Sequence, residues 1–162
     1  MSTADSMDFD ELYREVILDH CKRPRNFGSL PGATATAHGD NPSCGDEVHL
    51  GIILSPEGVV EDIKFTGQAC AICTASSSLM TTLVKGKKRE EAELLLKDFE
   101  KLICHLEETP APASLGNLRA LAGVRQFPQR VKCAMLGWRA LEQTLDTRSS
   151  GPKTVSTEEP AA

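Results

Sequence analysis

The chain has 162 residues, of which 40% are hydrophobic and 25% charged, and its net charge is −5. That length supports one domain around a single core, with the composition of a globular protein. The acidic balance excludes a general attraction to nucleic acid or anionic lipid, and no apolar run approaches the roughly 20 residues of a membrane span. Residues 1–10 are polar and acidic, unlike a secretory signal, so a cytoplasmic location is expected. In a reducing compartment the six cysteines point to metal or thiol chemistry rather than to a disulfide framework.

A first helix is predicted over about residues 8–22. Asp8 and Glu11 form an acidic capping box, and Phe9, Leu12, Tyr13, Val16 and Ile17 make one apolar stripe that Pro24 ends. Residues 33–39 alternate Ala and Thr and suit a partly exposed edge strand. Residues 47–54 place Val48, Leu50, Ile52 and Leu54 on one face. After the Ser55-Pro56-Glu57-Gly58 turn, residues 59–66 do the same with Ile63 and Phe65.

The rest reads as helical. Ile72, Ala75, Ser76, Leu79, Met80 and Leu83 mark a helix that Gly86 terminates. The run Lys85-Gly-Lys-Lys-Arg89 then reads as a solvated connection, with a docking patch for an acidic partner as the alternative. Ala92, Leu95, Leu96, Phe99, Leu102, Ile103 and Leu106 mark the next helix, with Glu90 and Glu91 at its positive end. A loop over 107–114, a short helix over 115–123 and a last helix over 129–146, opened by Pro128, complete the order. Val131, Met135, Trp138, Leu141 and Leu145 should face inward along that last helix. The expected architecture is α+β: a small three-stranded antiparallel sheet covered on one face by helices, as one domain over 1–146, with a disordered tail over 147–162.

Three segments carry candidate chemistry. Asn41-Pro-Ser-Cys-Gly-Asp46 lies between two strands and sets a thiol and a carboxylate two residues apart, on one side of an extended chain. Taken alone, it reads equally well as a turn with an incidental cysteine. Cys70 stands where the third strand becomes a helix, a position that favours thiolate, and Gly67 permits close backbone approach there. Cys133 lies in the opening turns of the last helix, with Arg125, Arg130 and Lys132 near enough in sequence to offset clustered thiolates. Together Cys44, Asp46, Cys70 and Cys133 form a donor set that suits Zn²⁺, or equally iron in a [2Fe–2S] cluster, which one oxygen ligand would hold weakly. Cys73 makes a CxxC with Cys70, but antiparallel strands precede it rather than a βαβ unit, so it reads as a small buried residue. Cys21 and Cys104 read as structural, and His20, His38, His49 and His105 have no ligand spacing.

These segments resemble the motifs of the IscU/NifU-type iron–sulfur assembly scaffolds, in Asn41–Asp46, Gly67-Gln-Ala-Cys-Ala-Ile-Cys-Thr-Ala-Ser76 and Val131-Lys-Cys-Ala134. The resemblance covers about residues 8–146 and implies a SufE/IscU-like fold. Lys132 stands where ISC-type scaffolds carry histidine, and residues 99–118 form an extended helical region. Both features are similar to the SufU-type branch. Phe127-Pro-Gln-Arg-Val-Lys132 departs from the chaperone motif of ISC scaffolds, which argues against recognition by a dedicated Hsp70.

The branch implies a zinc-binding protein that accepts persulfide sulfur from a PLP-dependent cysteine desulfurase of SufS type, and PLP belongs to that partner. Downstream SUF scaffold proteins are further expected partners. Cys44 is the expected persulfide acceptor, because a loop is more accessible and movable than a helix start. The rivals are a true scaffold that assembles [2Fe–2S] on the same ligands, an interaction module with structural zinc, and a thiol–disulfide oxidoreductase using Cys70 and Cys73.

Overall fold

The computed structural model describes residues 14–104, 113–146 and 153–156. Period-two alternation builds its sheet from β1 (Ala35–Asn41), β2 (Asp46–Leu54) and β3 (Val60–Gln68). Val48, Leu50 and Ile52 on β2, with Ile63 and Phe65 on β3, are buried, while Glu47 and His49 between them are exposed. β1 and β3 both pair antiparallel with β2, placing His38 opposite His49 and Leu50 opposite Phe65. The outer edge of β3 is covered near Phe65, whose N–H donates to Asn26 O and whose carbonyl accepts the Gly28 N–H.

The sheet has a fourth strand, which corrects the expected three. β4 (Lys153–Ser156) pairs parallel with β1, giving the order β3-β2-β1-β4 and a mixed sheet. β1 is therefore internal rather than an edge. The physical reason is that a strand edge left open offers unpaired backbone groups, and Val155 gains a foothold by packing on the core. Four polar and β-branched residues are too few for periodicity to reveal. They fall inside the expected disordered tail, the remainder of which lies outside the described residues, as do residues 8–13.

The described part of α1 covers residues 14–22 and ends before Pro24. α2 (Ala71–Val84), α3 (Arg89–Cys104), a 3-10 stretch (Ala113–Gln126) and α4 (Pro128–Leu145) follow. The 3-10 stretch is longer than the short helix expected there and breaks at Gly116, where φ is 53°. The apolar positions expected on α3 are buried through Ile103; Leu106 and most of the 107–114 loop lie outside the described residues. α4 lies on β1 and β2, and α2 packs along α4. Phe99 stacks on the fully buried Trp138 at 5.0 Å between ring centroids. The helices thus cover one sheet face in an α+β fold.

The α2–α4 contact is close because it uses small residues. Ser76, Ser77 and Ser78 are all buried, and Ser76 Oγ donates to Ala134 O at 2.7 Å. A Cβ at Gly137 would collide with Ser77 Oγ. The basic connection between α2 and α3 is exposed as expected, yet it is anchored to the sheet. Gly86 N–H donates to Val60 O, Val60 N–H to Lys87 O and Arg89 N–H to Gly58 O. Lys85 also pairs with Asp62 at 3.4 Å.

Candidate metal centre

The β1–β2 hairpin sets two polar side chains on the core side of the sheet. Asn41 pairs with Asp46, and residues 42–45 make the turn between them. Cys44 N–H donates to Asn41 O at 3.1 Å and Gly45 N–H to Pro42 O at 3.3 Å, with Gly45 at φ 72°. That left-handed position is one glycine occupies without strain. Cys44 is exposed at the turn, whereas Asn41 and Asp46 are buried at 0% and 1% exposure.

Two helices converge on the hairpin. Asp46 Oδ1 accepts the Cys70 N–H at 2.8 Å, which ties the start of β2 to the start of α2. Cys70 is the N-cap of α2, its sulfur accepting the Cys73 N–H at 3.5 Å. Gly67, at φ 149°, leads into this corner, and a Cβ there would collide with the Glu47 carbonyl oxygen. From α4, Cys133 Sγ lies 3.4 Å from Cys44 Sγ, and Asn41 Nδ2 approaches it at 3.7 Å.

The ligand atoms of Cys44, Asp46 and Cys133 all lie within 4.8 Å of one another. The sequence reading places Cys70 as a fourth ligand, but its sulfur is not part of that trio; it faces the Cys73 N–H at the start of α2. No described histidine joins the group. Cys133, unlike the exposed Cys44, is fully buried. Burial, then hydrogen bonding with Asp46 and Cys44 and the nearby charge of Cys70, hold its thiol well above the usual cysteine range. Its sulfur contacts Gln129 O at 3.4 Å, so it sits beyond the free N–H groups of the first turn. Arg125 Nε is engaged with Ala122 O, and Arg130 is exposed. Cys73 is fully buried, as expected, and burial followed by the Asp46 charge pushes its thiol up. Cys21 is half-buried and Cys104 exposed, the latter at the last residue of α3.

Asn41 is the participant that sequence reasoning missed. The available signal was its place opposite Asp46, closing a turn that holds a cysteine. Asn41 Oδ1 and Asp46 Oδ2 are both buried without a hydrogen-bond partner. A buried carboxylate oxygen left unsatisfied carries a large desolvation cost, and an ion is one of the few groups that removes it. The two sulfurs and one carboxylate of the Cys44, Asp46 and Cys133 trio are donors that Zn²⁺ accepts. The residues therefore fit a metal ion.

The sequence profile of the NifU-like N-terminal domain matches residues 12–147. The chain belongs to the NifU-like N-terminal domain family. Among relatives of this NifU-like chain is the zinc-dependent sulfurtransferase SufU of Bacillus subtilis strain 168, 42% identical over 89% of this chain and 96% of its own. The iron–sulfur cluster assembly scaffold protein IscU of Streptococcus pyogenes serotype M1 is 44% identical over 84% of each chain. A crystal structure from Fervidobacterium islandicum AW-1, assigned to cluster assembly scaffolding in the SUF system, superposes with a TM-score of 0.75. It is 34% identical and covers 82% of this NifU-like chain and 95% of its own. No helix among the described residues is long and apolar enough to cross a membrane.

Proposed function

We propose that this chain is a SufU-type sulfur acceptor of iron–sulfur cluster assembly, working in the cytoplasm with a SufS-type, PLP-dependent cysteine desulfurase. The observation that carries this reading is an exposed thiol, Cys44, whose sulfur sits 3.4 Å from the buried Cys133 sulfur beside an unpartnered Asp46 oxygen. Cys44, Asp46, Cys70 and Cys133 would hold Zn²⁺, and bound metal keeps ligand thiols deprotonated. The 42% identity to a zinc-dependent sulfurtransferase supports the same reading.

Sulfur acceptance needs only one accessible thiolate. The Cys44 thiolate attacks the outer sulfur of the desulfurase's cysteine persulfide. A new S–S bond forms at Cys44, the S–S bond of the donor breaks, and the donor cysteine leaves as thiolate. Cys44 is favoured over its neighbours because it is exposed on a turn, whereas Cys133 is fully buried and Cys70 caps α2. Downstream SUF scaffold proteins would take the sulfur next. A second reading, assembly of a [2Fe–2S] cluster as cargo on the same residues, has the support of the 44% identity to an IscU scaffold.

Protein mixed with a SufS-type desulfurase and cysteine, trapped by alkylation and mapped by mass spectrometry, should carry its persulfide on Cys44. A persulfide mainly on Cys70, Cys73 or Cys133 would overturn the assignment. Metal analysis of protein purified without oxygen separates the two readings. Colourless protein with zinc supports the sulfur acceptor, and brown protein with iron and sulfide supports the scaffold.

A further inference from the structure

Asn41 is a buried polar side chain to which sulfur acceptance at Cys44 gives no task. It ends β1 with no exposed surface, opposite the equally buried Asp46. Its backbone carbonyl closes the turn by accepting the Cys44 N–H at 3.1 Å. Its side chain reaches across the corner to α4, where Nδ2 donates to Cys133 Sγ at 3.7 Å, within the longer reach of a hydrogen bond to sulfur. Asn41 Oδ1 is buried without a partner. A leucine of similar shape would fill the same space and bury no unpaired carbonyl oxygen. Packing at the turn therefore does not account for a carboxamide here.

We propose that Asn41 is a positioning residue of the metal centre, whose side-chain amide holds the Cys133 thiolate by an N–H···S hydrogen bond and leaves Cys44 the more reactive of the pair. This role presupposes the metal-bound sulfur acceptor proposed above and deepens that reading. The difference among the three sulfurs at this corner carries it. Cys70 Sγ accepts the Cys73 backbone N–H at 3.5 Å, and Cys133 Sγ accepts the Asn41 amide. The described residues bring no N–H donor to Cys44 Sγ, whose hydrogen-bond contact is with the Cys133 sulfur at 3.4 Å.

Chemistry turns that difference into selectivity. A thiolate has no proton to give, so the NH₂ end of a carboxamide, not its oxygen, is the end that a ligating sulfur selects. That is the end Asn41 turns toward Cys133. Such a bond fixes the direction of the ligand and draws electron density from the sulfur, which lowers its nucleophilicity. Cys44 keeps its full electron density on an exposed turn, where a persulfide can approach. Exposure and electronic character thus favour the same thiol. Asn41 also holds the Cys44 turn through its own carbonyl, so one residue orients both sulfurs.

The test uses the full chain with two spectroscopic substitutes for zinc. Loaded with a spin-active cadmium isotope, wild-type protein should show scalar coupling between the metal and a side-chain amide proton of Asn41, through the Cys133 sulfur. That proton, assigned by its correlation to the Asn41 backbone, should also move downfield on loading. Loaded with Co²⁺, Asn41→Leu should shift the sulfur-to-metal charge-transfer band to lower energy than in wild type, because an unbonded sulfur donates more strongly. The wild-type coupling needs no variant, so it decides the matter even where Asn41→Leu does not fold. Wild-type protein with no charge-transfer band at all overturns the metal reading and this role together. An uncoupled Asn41 amide or an unshifted band, in protein that does bind the metal, overturns the role of Asn41 alone.

Discussion

His20 shows how one buried residue ties stability to pH. It is only 7% exposed, and its Nδ1 lies 2.7 Å from Ser78 Oγ, which also accepts the Arg25 N–H at 2.8 Å. Ser78 thus has its own proton left for His20, an arrangement that suits neutral imidazole. Burial, and then the Arg25 charge, lower the pKa of His20 from 6.5. A base whose folded pKa lies below its unfolded value binds more protons when unfolded. Its contribution is fully present above about 6.5 and declines as the pH falls below that value. Urea midpoints measured from pH 7.5 down to pH 5 should drop more steeply for wild type than for His20→Gln. Parallel profiles would show that His20 does not control this range.

At the level of elements, the approach of α4 to α2 is set by Gly137 and Ser77. Glycine inside a helix costs about 1 kcal/mol relative to alanine, so Gly137→Ala gains helix propensity. The added methyl would collide with Ser77 Oγ, and forcing extra volume into a packed contact costs about 1–3 kcal/mol. Set against the propensity gain, the clash should leave Gly137→Ala destabilised by up to about 2 kcal/mol in chemical denaturation. Adding Ser77→Ala removes the colliding oxygen and should restore much of the loss. If the loss is the same with and without Ser77→Ala, the contact is not what sets the helix spacing.

The whole molecule depends on the corner where the hairpin, α2 and α4 meet. Cys44 and Asp46 come from one side of the sheet's end, Cys70 from the start of α2 and Cys133 from α4, so one bound ion would cross-link elements far apart in sequence. Binding to the folded state alone adds stability by mass action, about 2.7 kcal/mol at a hundredfold excess over Kd. Chelation of purified protein should therefore lower its Tm by several degrees. Cys70→Ser and Cys133→Ser should each lose most of the metal, whereas Cys21→Ser and Cys104→Ser should keep wild-type content. Three ligand variants Cys44→Ser, Cys70→Ser and Cys133→Ser that retain full zinc would show that the metal sits elsewhere.

By itself the sequence determined the main elements, because their signals are local. Alternation on β2 and β3, the apolar stripes of α3 and α4, Pro128 at a helix start and Gly86 at a helix end each act within a few residues. The three cysteine motifs were equally legible, since a thiol in a tight turn or at a helix cap is a local arrangement. Tertiary structure alone decided the rest. It brought β4 to the free edge of β1, buried Ser77 against Gly137, and enclosed Cys133 so that burial and its neighbours hold its thiol up. It also placed Asn41 beside Cys133, 92 positions away, and set His38 against His49. Each of these depends on which surfaces meet and how much water they exclude, and neither quantity is encoded within a short stretch of chain.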